Sequence, residues 1–273
     1  MLKQRILTAL VLLPVALIGF FLLNGGWFAL FIGAVVTLGA WEWARLAGWE
    51  AQGARVGYAA VVALALLVLY ALPGLAPWLL GLAIVWWGVA TWLVMTYPGS
   101  TPHWSSTPRK LIIGWVVLLP AWEGLLVLKQ WPSGLGNWLI LSVMVLVWVA
   151  DIGAYFSGRA FGKRKLAPAV SPGKSWAGLY GGLGIALLVT LITGLARGWA
   201  AGQLIGALVI AAIVVLVSVV GDLTESMFKR QAGIKDSSQL LPGHGGVLDR
   251  IDSLTAAIPV FAVLLWLANW SLM

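Results

Sequence analysis

Nine acidic residues serve the whole chain, and Asp222, Glu225, Asp236, Asp249 and Asp252 are five of them. Lys229, Arg230, Lys235, His244 and Arg250 stand among them. Asp222, Glu225 and Ser226 follow directly on an apolar run. Their spacing of three and four predicts one helix face, with Lys229 four beyond Glu225. Leu241-Pro242-Gly243 then breaks the chain, and Gly243-His244-Gly245-Gly246 reads as a glycine-rich turn. Asp249 and Asp252 fall in the first turns of a final helix, where carboxylates suit the helix dipole. A helix start preceded by glycines also suits a phosphate. Hard oxygen donors from two helices can hold Mg2+, which takes one or two carboxylates plus waters and substrate phosphates. Neighbouring Lys and Arg would balance phosphate charge. The set points to metal-assisted phosphoryl or nucleotidyl transfer. The plainer reading is a salt-bridged loop anchoring two helices, in which Glu225 pairs with Lys229 and His244 is a turn residue.

A second region runs from Asp151 to Trp176. Asp151, Tyr155 and Arg159 repeat every four residues and share a helix face. A basic loop follows, with Lys163, Arg164 and Lys165, then Ser171-Pro172-Gly173-Lys174-Ser175-Trp176. Gly173-Lys174-Ser175 looks like the end of a nucleotide-binding P-loop, but the first glycine would fall on Pro168 and no strand is expected before it. Ser171 and Lys174, just before a helix, remain candidates for phosphate. The competing role is a lipid-headgroup anchor.

These regions sit in a chain that water could not hold. Hydrophobic residues make up 61% and charged residues 10% of its 273 positions, against about 25% charged in soluble domains. A spanning helix needs about 20 apolar residues. Nine segments qualify: 5–23, 27–46, 58–76, 78–96, 110–128, 136–157, 176–196, 203–223 and 247–271. The expected fold is an all-α polytopic bundle, in two stretches: 1–130, and 131–273 carrying the site. Asn24-Gly25-Gly26, Pro73-Gly74 and Pro132-Ser133-Gly134 read as tight links. Trp27, Trp78, Trp104, Trp131, Trp138 and Trp270 fall near span ends, as in an aromatic belt. Without cysteine, disulfides and thiolate metal sites are excluded.

With the N-terminus in the cytoplasm, only Lys129 and Arg197 of the 17 Lys and Arg residues fall outside. The positive-inside rule fixes that orientation. The net charge of +8 therefore needs no nucleic acid to explain it. Both chemical regions then face the cytoplasm. The first span has no small-residue cleavage site after it and reads as retained. A transporter using Asp151 is disfavoured, because the charges gather at one boundary and no repeat is evident.

The segment Ser226-Met227-Phe228-Lys229-Arg230, then Lys235-Asp236, then Leu241-Pro242-Gly243-His244-Gly245-Gly246-Val247-Leu248-Asp249-Arg250-Ile251-Asp252-Ser253 resembles the signature of bacterial phosphatidate cytidylyltransferases. Asp151 to Gly178 resembles a second shared region, with departures at Gly173, Ser175 and Ala177, where the family usually has a basic residue, threonine and glutamate. The resemblance implies an enzyme of the bacterial cytoplasmic membrane that turns CTP and phosphatidate into CDP-diacylglycerol and pyrophosphate. It implies Mg2+, alone or with a second cation, and a homodimer. It assigns Asp222, Asp249 and Asp252 to the metal, with Lys229, Arg230, Lys235, Asp236, His244 and Arg250 among the catalytic groups. Ser171, Lys174, Arg159, Ser226, Gly245 and Gly246 would bind substrate. A CTP-dependent lipid kinase is the nearest alternative, distinguished by releasing CDP rather than pyrophosphate.

Overall fold

The structure, a computed structural model, describes residues 2–270, and the side chains of Thr8 and of residues 10–270. Ten α-helices follow one another: α1 (Leu2–Leu17), α2 (Gly25–Leu46), α3 (Gln52–Ala71), α4 (Ala76–Met95), the short α5 (Thr101–Trp104), α6 (Thr107–Lys129), α7 (Gly136–Phe161), α8 (Trp176–Ala196), α9 (Ala201–Gln231) and α10 (Leu248–Leu267). Two short strands, β1 (Lys165–Ala167) and β2 (Ser171–Ser175), pair antiparallel between α7 and α8. Eight of the helices are long and apolar enough to cross a membrane. Helices suit this solvent because each satisfies its own backbone hydrogen bonds. The protein is an all-α polytopic membrane protein.

The expected first span, 5–23, falls on Leu2–Leu17 and its π-helical continuation Ile18–Leu22; its apolar run within the described side chains is Leu10–Leu22, and most of what precedes that run lies outside them. Lys3 and Arg5 lie outside the described side chains. The other eight segments fall on helices, with shifted ends. The segment 58–76 is Gln52–Ala71, and 203–223 extends to Gln231. At 1.5 Å per residue α9 is about 46 Å long, more than a bilayer core of about 30 Å. Its last turns, with Lys229 and Arg230, therefore stand at the boundary.

The expected glycine links are turns, with Gly25 at φ 54° and Gly134 at φ 69°. The aromatic belt is only partly real. Trp27, Trp78 and Trp138 are exposed, whereas Trp104 and Trp131 are buried. Trp104 packs on Phe228 at 4.6 Å, and Trp43 lies 4.9 Å from the same ring. These rings wall the core behind Lys229.

One buried core runs from Phe28 on α2 to Leu265 on α10. It joins the two stretches expected from sequence, because α10 packs on α2, α4, α6 and α9. The tightest pairing is α7 on α8, along a seam of glycines. A Cβ on Gly182 would stand 2.5 Å from the Ala150 carbonyl oxygen, and one on Gly178 would stand 2.9 Å from that of Ala154. Apolar faces gain little from meeting each other in lipid, so close backbone approach is what holds such helices together.

Candidate active site

The two regions picked out by chemistry meet. Lys174, on β2, forms an ion pair with Asp222 on α9, with Nζ 2.6 Å from Oδ2. Ser226 donates to the other oxygen of Asp222, at 3.2 Å. The hairpin turn is tied to the end of α9 as well, where Arg230 Nε donates to the Val170 carbonyl at 3.1 Å. Lys174 was expected in a loop with no strand before it. In fact β1 precedes it, and Gly173-Lys174-Ser175 is extended strand. That confirms the rejection of a P-loop on different grounds. Ser175 ends the strand and caps α8, its hydroxyl accepting from Gly178 N at 3.1 Å.

Lys174 and Asp222 edge a cavity of about 380 Å3 between α7, α8 and α9. Asp151, Tyr155 and Arg159 line it from α7, and their predicted common face is therefore real. Arg159 donates to the Tyr155 hydroxyl at 3.3 Å. Ala150, Leu179, Gly182, Val215 and Val219 make the remaining wall apolar. A polar rim over an apolar wall suits an amphiphile whose charged head meets Lys174 and Arg159.

Beside it, Lys229 bridges two helices. Its Nζ lies 3.1 Å from Glu225 Oε1 and 2.8 Å from Asp249 Oδ1. Glu225 is 3% exposed, and among the described residues its oxygens find no partner besides Lys229. The second oxygen of Asp249 accepts three bonds, from Ser237 N at 2.9 Å, Ser237 Oγ at 2.8 Å and Gly246 N at 2.7 Å. Gly245 has φ 81°, and a Cβ there would stand 2.7 Å from Asp249 Oδ2. The glycine turn thus allows backbone and carboxylate to close on each other. Asp252 accepts from Ser253 N at 2.7 Å and feels the charges of Asp222, Lys229 and Lys174. A Cβ on Gly221 would meet the Asp252 carbonyl oxygen at 2.7 Å, so this glycine brings α10 against α9 beside the carboxylates.

Other expected residues lie around this centre without joining it. Lys235, Asp236 and Arg250 are exposed, and with Ser171 they make no side-chain hydrogen bond or ion pair among the described residues. His244 closes a turn through its backbone, donating to Leu241 O at 2.8 Å, while its Nδ1 is buried without a partner. Among the described residues no three His, Asp or Glu side chains gather as a metal-binding group. Asp222, Asp249 and Asp252 therefore stand near one another, two of them in ion pairs, rather than in one ligand set.

Sequence reasoning gave no role to Glu42. It is fully buried on α2 and accepts from Ser238 Oγ, Val247 N and Leu248 N at 2.5, 3.0 and 2.6 Å. A lone carboxylate inside an apolar span was a usable signal. Ser237 and Ser238 carried none.

The model of the cytidylyltransferase family matches residues 3–268. A phosphatidate cytidylyltransferase of Pseudomonas aeruginosa is 71% identical over 270 residues, covering 99% of each chain. One of Haemophilus influenzae is 45% identical, covering 96% of this chain and 98% of its own. One of Brucella suis is 44% identical over 118 residues, 43% of each chain. With a match that runs nearly end to end, the chain belongs to the cytidylyltransferase family.

Proposed function

We propose that this membrane protein is a phosphatidate cytidylyltransferase, which joins CTP to phosphatidate and releases pyrophosphate. The observation that carries the reading is the Lys174–Asp222 pair at the rim of a half-apolar cavity, in a chain of this family. Phosphatidate fits the cavity by type, with its phosphate near Lys174 and Arg159 and its chains against Leu179, Val215 and Val219. CTP is assigned to the loop side, where the side chains of Lys235 and Arg250 have no partner among the described residues.

The lipid phosphate is already an oxyanion at neutral pH and needs no strong base. One of its oxygens attacks the α-phosphorus of CTP. The bond from that phosphorus to the bridging oxygen breaks, and the electron pair leaves with pyrophosphate. The main barrier is anion meeting anion, so the protein's work is positioning and charge balance. Lys174 and Arg159 hold the lipid phosphate. Lys229, fixed between Glu225 and Asp249, places a cation at the α9–α10 junction.

The donor set fits Mg2+. Asp151, Asp222, Glu225, Asp249 and Asp252 lie within electrostatic reach of one another or of Lys174 and Lys229, and carboxylates outnumber lysines. Mg2+ takes only one or two protein carboxylates, so the lack of a three-ligand cluster among the described residues does not oppose it. One or two of Asp222, Asp249 and Asp252 would hold the ion, and it would neutralise triphosphate charge when bound. The same reading places the protein in the bacterial cytoplasmic membrane as a homodimer, with this end of the bundle in the cytoplasm.

The test is transfer from CTP labelled at the α-phosphate, in detergent–lipid micelles with phosphatidate and Mg2+. Label entering the lipid with release of pyrophosphate, stopped by EDTA, is the expected result. Release of CDP with a lipid phosphate would make it a lipid kinase. No transfer from a folded preparation would overturn both.

A further inference from the structure

Glu42 accepts four hydrogen bonds, as many as Asp249 receives, yet it makes no ion pair among the described residues. Removing a carboxylate from water is expensive unless hydrogen bonds replace the lost hydration. Glu42 obtains them all from one place. Oε1 accepts from Ser238 Oγ and Val247 N, and Oε2 from Leu248 N at 2.6 Å, with Ser237 Oγ at 3.3 Å. These donors belong to the loop and helix start that also carry Asp249. Arg45, one turn further along α2, donates to the Ser237 carbonyl at 3.2 Å. Helix α2 therefore grips the segment 237–248 at both of its ends.

The grip is coupled to Asp249 through shared groups. Consecutive N–H groups divide between the two carboxylates: Gly246 donates to Asp249, and Val247 and Leu248 donate to Glu42. The single hydroxyl proton of Ser237 lies between them, nearer Asp249. A Cβ on Gly246 would collide with both Glu42 and Ser237. The closeness that demands glycine at 246 is imposed by Ser237 and Glu42 together.

We infer that Glu42 is a positioning residue for the transfer reaction: it fixes Ser237 and the start of α10 so that Asp249 is held in place against Lys229. The inference rests on the proposed cytidylyl transfer. It assigns to the N-terminal half of the chain a direct part in a site built by the C-terminal half.

The test uses full-length protein and the variants E42Q, S238A and the E42Q/S238A double variant, Ser238 being the hydroxyl whose side-chain partner is Glu42. Wild type must first transfer label from CTP, since its failure would count against the reaction and not against Glu42. Glutamine keeps the size of Glu42 but turns an NH2 toward a backbone N–H. We expect kcat to fall about 10- to 100-fold in E42Q, the loss of hydrogen bonds to a charged group, with KM for CTP changed less than about threefold. S238A should lose less. The double variant should be little worse than the worse single variant, because both act through one contact. Tryptic cleavage after the exposed Lys235 should quicken in E42Q while melting temperature changes little. Normal kcat and unchanged cleavage in E42Q would overturn the inference. So would a lower melting temperature with fully additive losses in the cycle, which would make Glu42 a general stabilising residue. Should E42Q fail to insert, S238A alone decides, by faster cleavage at Lys235 with reduced kcat or by neither.

Discussion

Lys174 and Asp222 come from segments separated by a whole membrane helix, and their charged atoms stand 2.6 Å apart. The pair is half-open, with each side chain about a quarter exposed at 26% and 27%. Stability alone gains little from a pair in that setting. Its place at the cavity rim gives it a different value, since a phosphate reaching Lys174 must compete with Asp222. We therefore expect K174M to lose at least about 100-fold in kcat/KM while melting within a few degrees of wild type, because the lost contact is to the reacting anion. Steady-state transfer with phosphatidate varied, beside a thermal-shift measurement, checks both halves. Wild-type turnover in K174M would remove Lys174 from the site.

Asp249 is held more tightly. One oxygen faces Lys229, and the other accepts three hydrogen bonds. D249A should abolish turnover and leave an inserted, folded protein, because the helix that carries it is fixed elsewhere by its apolar packing. K229M should do worse for stability. It leaves Glu225 buried with no cation, a situation that costs about 3–5 kcal/mol where one partner of a buried pair is removed. A lower melting temperature in K229M than in D249A is the expected order. Near-normal transfer by D249A would sink its assignment to the metal.

How far the sequence could be read follows from the range of each signal. Apolar runs are local, and eight of them became spanning helices. Spacing along a helix is local too, which is why Asp151, Tyr155 and Arg159 do share the cavity wall. The long glycine-rich motif marked where Asp249 would sit. The partners of that carboxylate were less legible. Ser237 is an ordinary polar residue in a loop, and only the return of the chain shows that its N–H and hydroxyl both close on Asp249. Glu42 lay far upstream, and its donors lie about 200 positions away, at separations of 195 to 206 residues. The hairpin was hidden because three- and five-residue strands of mixed polarity have no usable period. Trp104 lies near a span end as expected, but its ring turns into the core, because position near a helix end does not say which way a ring faces.

The orientation of the bundle can be checked directly, since the chain has no cysteine. Gln239 is an exposed residue of the site loop, and Arg197 is an exposed residue at the other end, where its guanidinium lies 6.0 Å from the Trp138 ring. With the basic end in the cytoplasm, R197C should react with a membrane-impermeant thiol reagent on intact spheroplasts. Q239C should react only after permeabilisation. The reverse pattern would put the site on the wrong side for cytoplasmic CTP.

The last expectation concerns what keeps the cavity open at the right width. Helix α8 carries Gly182 against α7, where an added Cβ would meet the Ala150 carbonyl at 2.5 Å, and Gly184, where it would meet nothing within 4 Å. Both changes to alanine raise helix propensity by about the same amount, near 1 kcal/mol. They differ in the backbone clash. G184A should be neutral or slightly stabilising. G182A should force α7 and α8 apart, cost about 1–3 kcal/mol as overpacking does, and widen a cavity that Gly182 itself lines. Its signature is a lower melting temperature together with a raised KM for phosphatidate and a KM for CTP that hardly moves, because the loop that holds Asp249 is not built on this seam. Equal effects on both substrates would show instead that the seam supports the whole fold and that the cavity is no separate lipid berth.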